Sequence, residues 1–469
     1  MRQREEKERT PNRFVRASGV AARPISNSHN RGAGGRTFLV AATQYKQEIF
    51  MNRRRVVVTG MGVVSPVGNT VEEAWEAVRA GKSGIGTITQ FDSSALSVHI
   101  AGEVKDFDVE RYGIDSRAVR KMARFTKFLL AASQQALTDA GMTAKTLRAQ
   151  KAGIVAGCCF GGMDAMEAGF AKYCDPAAGV ERIPPLTTPL MISNEAAANV
   201  SIYYGLQGPS WTINTACASG TDAIGLAADM IRSGRLDMAL SGGTEAAISG
   251  FGVGTLCQLQ ALSTKRNDEP TKASRPFDAD RDGFVIAEGS AILLLEELEH
   301  AKARGAHIYA EIAGFGSSND AYHITAPLKD GSGAALAVKE ALSDAEMQPG
   351  DVQYYNAHGT STKANDKGES AMLKLAFGEH AYKLKISSTK SMTGHLVGAA
   401  GAIEALFCVK TICDNFIAPT INLDAPDVEN GCDLNYVPNK GISYKVDVAA
   451  SASLGFGGHN AALIFKRYK

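Results

Sequence analysis

The sequence predicts an α/β fold with largely buried sheets, on three observations. Short apolar runs of strand length recur along the chain and read as continuous hydrophobic stretches, as strands covered on both faces do. Most are followed by a turn and then by apolar residues at helical spacing. Glycine, 48 of 469 residues, suits the many tight turns and close backbone contacts of such a fold. With 45% apolar and 21% charged residues, a sizeable core is available and global disorder is excluded.

Taken in order, residues 55–59 form a β-branched strand closed by Gly60-Met61-Gly62. Residues 70–80 read as a helix, with Thr70 as N-cap, Glu73 at the capping-box position and Gly81 beyond the end. Residues 118–140 carry helical spacing through Met122, Phe125, Leu129, Ala132 and Ala136. Residues 152–156 and 210–214 are strands, the second running directly into a helix that ends near Ile231. Residues 238–241 form a strand ending in Gly242-Gly243. Strands at 291–296 and 308–314 flank a charged helix, and strands at 352–356 and 384–388 each lead through a loop into a helix. The last strands are 448–453 and 461–465. A weak internal repeat pairs Cys217-Ala-Ser-Gly220 with His395-Leu-Val-Gly398, each opening an Ala-rich helix. It favours two halves, 51–305 and 306–469.

Residues 1–50 differ from the rest. They hold eight Arg and two Lys against four Glu. Three readings compete: a start placed upstream of the natural Met51, an organellar transit peptide, or a solvated tail. The expected compartment is the cytoplasm, or a mitochondrion or plastid if the segment is a transit peptide. Over the whole chain 50 basic residues meet 49 acidic ones, which excludes a chain-wide nucleic-acid footprint. No apolar run reaches the roughly 18 residues of a membrane span. The eight cysteines form no CxxC pair, so a disulfide framework or zinc ribbon is not expected.

Three loops carry candidate chemistry. In Asn214-Thr-Ala-Cys217-Ala-Ser-Gly220, a Cys at a strand-to-helix turn sits by unpaired N–H groups that favour the thiolate. The bland alternative is a buried structural Cys, which the turn and small neighbours disfavour. In Asn356-Ala-His358-Gly-Thr-Ser-Thr362, a His follows a strand among small residues. The third loop runs Ser388-Thr-Lys390-Ser-Met-Thr-Gly-His395, with Glu404 further along the helix and able to pair with His395. No carboxylate stands at HxxxH or HExxH spacing, so no metal site is expected. Arg117, Arg120, Lys121 and Arg124 have the spacing of one helical side.

Together these motifs resemble the β-ketoacyl-[acyl-carrier-protein] synthases, the elongating condensing enzymes of the thiolase superfamily, and most closely the type II synthase. The likeness runs from Arg53 to the C-terminus. It includes Val58-Thr-Gly-Met-Gly62, Thr215-Ala-Cys-Ala-Ser-Gly220, Ser274-Arg-Pro-Phe-Asp278, Arg281-Asp-Gly-Phe284, Asn356–Thr360, Lys390–Gly401 and Gly455-Phe-Gly-Gly-His-Asn460. The resemblance implies a thiolase-like duplicated five-layer αβαβα fold, an isologous homodimer and no cofactor. It implies that Cys217 carries the acyl chain and that His358 and His395 serve decarboxylation of a malonyl thioester. Lys390 and Glu404 would support them, and Phe456 would be a gate. Phe160 would line the acyl tunnel, where relatives often carry an aliphatic residue. The partner would be acyl carrier protein, acyl- or malonyl-loaded, met by the basic cluster at 117–124. Neither nucleic acid nor membrane is an expected partner. A ketosynthase of a polyketide or specialised lipid pathway is the alternative.

Overall fold

The computed structural model describes residues 53–176 and 179–469. Residues 1–50, and with them the three readings of the basic segment, lie outside the described residues. The chain divides into Met1–Arg53 and Arg54–Lys469, and the strands and helices of the described residues belong to the second unit.

Ten strands build the main sheet. They are β1 (Val56–Val64), β2 (Ala152–Gly157), β3 (Ser210–Ile213), β4 (Met238–Glu245) and β5 (Gly289–Glu297), then β6 (Ala310–Asn319), β7 (Tyr354–Asn356), β8 (Lys385–Ser387), β9 (Val448–Gly455) and β10 (His459–Lys466). Their order is β8-β7-β9-β10-β6-β1-β5-β4-β2-β3. Within the first five the order is third, second, fourth, fifth, first, and within the second five it is the same. Directions repeat too: the first three neighbours are parallel and the last two pairings antiparallel in each set. The two sets join where Val56–Val58 meet Ala310–Ile312. Six helices cover them: α1 (Arg124–Asp139), α2 (Glu195–Tyr204), α3 (Ser219–Arg232), α4 (Ser332–Asp344), α5 (Lys363–Phe377) and α6 (Ala400–Asp414). Helices α3 and α6 are buried between the two sets, α1 and α2 lie outside the first, and α4 and α5 outside the second. This is the duplicated five-layer αβαβα arrangement.

The first strand runs on through Gly60 and Gly62 to Val64, where the sequence suggests a stop. The glycines serve helix packing instead. A Cβ on Gly60 would lie 2.2 Å from the Ala136 carbonyl oxygen, and one on Gly62 would lie 2.0 Å from that of Ala132. The second half repeats the device: Gly314 would meet the Ala341 oxygen at 2.1 Å and Gly316 the Ala337 oxygen at 2.1 Å. Helix and strand backbones touch at both places, so any side chain there forces them apart. Gly62→Ala is therefore expected to cost about 3 kcal/mol, the upper end of the overpacking range, because the obstructing atom is backbone. A denaturant midpoint unchanged from wild type would contradict this packing.

The helix expected over 118–140 starts only at Arg124. Asp115 accepts the Arg117 N–H at 2.9 Å, and its carbonyl takes the Ala118 N–H. Those turns, and an extended Ala123 before the helix (ψ 162), keep 117–123 out of it. Arg117, Arg120, Lys121 and Arg124 therefore do not share one helical face.

The repeat also shifts register. The turn Ala216–Ala218 leading into α3 corresponds to Val397–Ala399 leading into α6. Cys217 thus answers to Gly398 rather than to His395.

Candidate active site

Two buried helices bring the chemistry together by their N-termini. Gly220 near the start of α3 and Gly401 near the start of α6 allow the approach. A Cβ on Gly220 would sit 2.9 Å from the Gly398 oxygen, and one on Gly401 only 1.9 Å from Thr221 Oγ1. Each helix is entered through a strained residue: Ala216 has φ +52 and Val397 φ +46, a conformation that side-chain-bearing residues adopt at a cost of roughly 1–3 kcal/mol. Around Ala216 the strain is held by local hydrogen bonds. Ser219 Oγ accepts the Thr215 N–H at 2.9 Å and donates to the Ala216 carbonyl at 2.6 Å. Thr215 is in turn fixed by Asp222 at 2.6 Å.

Cys217, His358 and His395 are all buried. Their sulfur and ring nitrogens lie within 4.8 Å of one another. The two imidazoles stand edge to face, centroids 5.2 Å apart at 86°. His395 Nε2 is 3.1 Å from Cys217 Sγ. On its far side Nδ1 accepts the Val397 N–H at 3.3 Å. His358 Nδ1 faces the Lys390 ammonium at 3.3 Å. A nitrogen that accepts carries no proton, so these partners assign the proton of each ring to Nε2. Both Nε2–H groups are thus donors at the site. Burial, and next the Lys390 charge, hold both imidazoles well below the usual histidine range, so they stay neutral.

Lys390 also donates to Glu404, in a fully buried pair. The sequence reading that Glu404 pairs with His395 is therefore corrected. Burial lifts the Glu404 carboxyl to about 7, with the Lys390 charge opposing. His358 is held from behind by Glu369, which accepts the N–H of His358 at 2.7 Å and of Gly359 at 2.6 Å. The Ser274–Phe284 motifs brace the same loop. Asp366 accepts the Phe277 and Ser361 N–H groups and faces Arg281 at 3.4 Å.

The thiol differs from the sequence expectation. Burial pushes Cys217 up to about 11, despite the Lys390 charge and the backbone N–H groups of Phe456 and Cys217 itself, which favour the thiolate. Burial thus works against the N–H groups of the helix N-terminus, because the same packing that supplies them excludes water. Phe456 is exposed, and the two glycines that follow it, Gly457 and Gly458, have φ +83 and +74.

A cavity of about 470 Å³ opens onto Cys217, His358 and His395, and Phe160 and Phe456 are in its wall. Glu245, which sequence reasoning missed, fixes the Phe160 segment. Buried at the end of β4, it accepts the N–H of Cys159 at 3.0 Å, of Phe160 at 3.2 Å and of Gly398 at 3.1 Å. Its only sequence signal was a charged residue ending an apolar strand after Gly242-Gly243.

Of the basic cluster, Arg117, Arg120 and Lys121 are exposed. Arg124 is not free. Its guanidinium forks onto buried Glu288 at 2.7 and 2.8 Å and lies over the Phe128 ring.

Cys217, His358 and His395, found on the loops the sequence singled out, thus meet at one buried point that opens onto this cavity. Known proteins are similar to this chain over the same span. The family model for the N-terminal domain of β-ketoacyl synthase matches residues 53–301, and that for the C-terminal domain matches 309–424. The 3-oxoacyl-[acyl-carrier-protein] synthase 2 of Synechocystis sp. is 47% identical over 419 residues, covering 89% of this chain and 99% of the relative. That of Coxiella burnetii is 48% identical over 417 residues, with 89% and 99% covered. Among solved structures, the AntDE:AntF complex, a type II PKS acyl-carrier protein with its ketosynthase bound to the hexaketide, matches with a TM-score of 0.82 at 36% identity. It covers 89% of this chain and 100% of that one. Motifs, duplicated fold and relatives coincide from residue 53 onward, and the chain belongs to the β-ketoacyl synthase family.

Proposed function

We propose that the protein is an elongating β-ketoacyl-[acyl-carrier-protein] synthase. It condenses malonyl carrier protein with an acyl chain held on Cys217, releasing carbon dioxide and lengthening the chain by two carbons. The observation that carries this reading is the pair of neutral Nε2–H donors converging beside a buried thiol. Cys217 accepts the acyl group from carrier protein as a thioester. The oxyanion formed at its carbonyl is met by the N–H groups of Cys217 and Phe456. Decarboxylation of malonyl thioester puts charge on its thioester oxygen, and His358 and His395 donate to that oxygen. The resulting carbanion attacks the acyl-Cys217 carbonyl, and the sulfur leaves. Lys390 and Glu404 hold His358 in its donor tautomer, and Phe456 gates the cavity. The fatty-acid reading is favoured over a polyketide one because the synthase 2 relatives are 46–48% identical, against 36% for the AntDE:AntF ketosynthase. Purified enzyme given acyl and malonyl carrier proteins should release a β-ketoacyl product two carbons longer; no product with any straight-chain acyl group would refute the reading.

The two halves, meeting near Ala306, supply Cys217 from one and the histidines from the other. Carrier protein docks on Arg117, Arg120 and Lys121, and reversing these charges should raise the KM for carrier protein while leaving acyl transfer from a small thioester intact. The enzyme is a homodimer through β3. That edge strand exposes Ser210 and Trp211, and α2, packed on it, exposes Ile202 to 77%. Its counterpart β8 has its edge covered, the Ile386 N–H donating to Asn435. Light scattering is expected to give twice the chain mass.

Phe160 limits the acyl chain. Its ring stands in the wall of the cavity that opens on Cys217, in space that distal methylenes need. Each buried CH₂ is worth about 0.8 kcal/mol, so Phe160→Ala should favour longer chains by several-fold per methylene admitted. An unchanged length profile would remove Phe160 from the tunnel. Among the described residues no helix is long and apolar enough to cross a membrane.

A further inference from the structure

Cys217, His358 and His395 are, by residue type, a ligand set for a thiophilic divalent cation. One thiolate and two imidazoles with a fourth position open is an arrangement that zinc accepts, and the three candidate atoms lie within 4.8 Å. Capture would require a specific rearrangement. The Cys217 thiol would release its proton, and each imidazole would move its own from Nε2 to Nδ1, freeing the nitrogen that faces the sulfur. Both Nδ1 atoms are opposed by donors. At His358 the donor is the Lys390 ammonium, at 3.3 Å. At His395 it is the Val397 N–H, also at 3.3 Å. A proton placed on either Nδ1 would lose a hydrogen bond and point at another N–H.

We propose that Lys390 and the Val397 N–H together hold shut a latent zinc site made by Cys217, His358 and His395. Lys390 is the stronger of the two locks, since a charged donor makes the stronger hydrogen bond and its charge also repels a cation. Glu404, paired with Lys390 out of solvent, keeps the ammonium in place. The same contacts that make both rings donors for catalysis thus keep the nucleophile from being sequestered by metal.

Cobalt(II) is the probe, read by thiolate-to-metal absorption, with zinc as competitor. The test compares wild type with Lys390→Met/Glu404→Gln, which removes both charges and leaves the local net charge unchanged. The double variant should bind cobalt at least tenfold more tightly than wild type, and adding Cys217→Ser should abolish the band. Equal affinity in the two proteins, or a folded double variant that gains none, would overturn the proposal. Nitrogen NMR of wild type with labelled histidine supplies the second measurement, independent of whether the variant folds. Both rings should carry the proton on Nε2, and a proton on Nδ1 of either would overturn it. Neither readout depends on the condensation reaction.

Discussion

Cys217→Ala is expected to abolish acyl loading and condensation while keeping malonyl binding and slow decarboxylation. His358→Ala and His395→Ala are expected to do the reverse. Acyl transfer needs the sulfur and the two backbone N–H groups around it. Decarboxylation needs the two imidazole donors, and each oxyanion donor removed typically costs about 10²–10³ in rate. The tautomers make the division sharp. With Nδ1 accepting from Val397, His395 points an N–H at the sulfur 3.1 Å away, so it supports a thiolate and cannot take the thiol proton. Loss of acyl loading in His395→Ala as complete as in Cys217→Ala would make that histidine the base of a Cys–His pair. Because both rings are held well below the usual histidine range by burial and the Lys390 charge, decarboxylation should show no acid limb near pH 6.5.

Lys390→Met is expected to be the most destabilising single change near the site. It leaves Glu404 buried without its cation, and breaking one side of a buried pair typically costs about 3–5 kcal/mol. The cost has a sign in pH. The Glu404 carboxyl is already lifted from 4.5 to about 7 by burial, and without Lys390 it rises further. A carboxyl raised in the folded state contributes stability that is full below its unfolded value and is lost as pH rises through its folded value. The deficit of Lys390→Met against wild type should therefore be smallest near pH 5 and grow toward pH 8. Lys390→Met/Glu404→Gln should recover much of it. A deficit independent of pH would mean that lost packing, and not the stranded carboxyl, is responsible.

Much of this was legible in the sequence because the relevant residues lie where local pattern and chemistry coincide. Cys217, His358 and His395 each sit in a loop after a strand, among small residues, and the structure places them together. The duplication was only half legible. Cys217 was set against His395, whereas the stronger signal was Gly60-Met-Gly62 against Gly314-Phe-Gly316, each glycine pair facing alanines of a helix. That signal is set by the distance between helix and strand, which periodicity does not encode. The helix expected from residue 118 failed because Asp115 captures the backbone in a turn, a local side-chain contact stronger than the helical propensity of residues 118–123. Arg124 looked free for the same reason that Glu245 was missed. Glu288 and Glu245 are distant in sequence from the groups they bind, and only the folded sheet brings them there. The upward push of burial on the Cys217 thiol was not legible, because a helix N-terminus can be read from sequence but the water it excludes cannot.

Peptide-mapped mass spectrometry of the protein loaded with acyl carrier protein and then chased with malonyl carrier protein tests the central claim most directly. The acyl mass should appear on the peptide bearing Cys217 and disappear on the chase, with a product two carbons longer. An adduct on another residue, or a Cys217 adduct that persists when malonyl carrier protein is added, would contradict it.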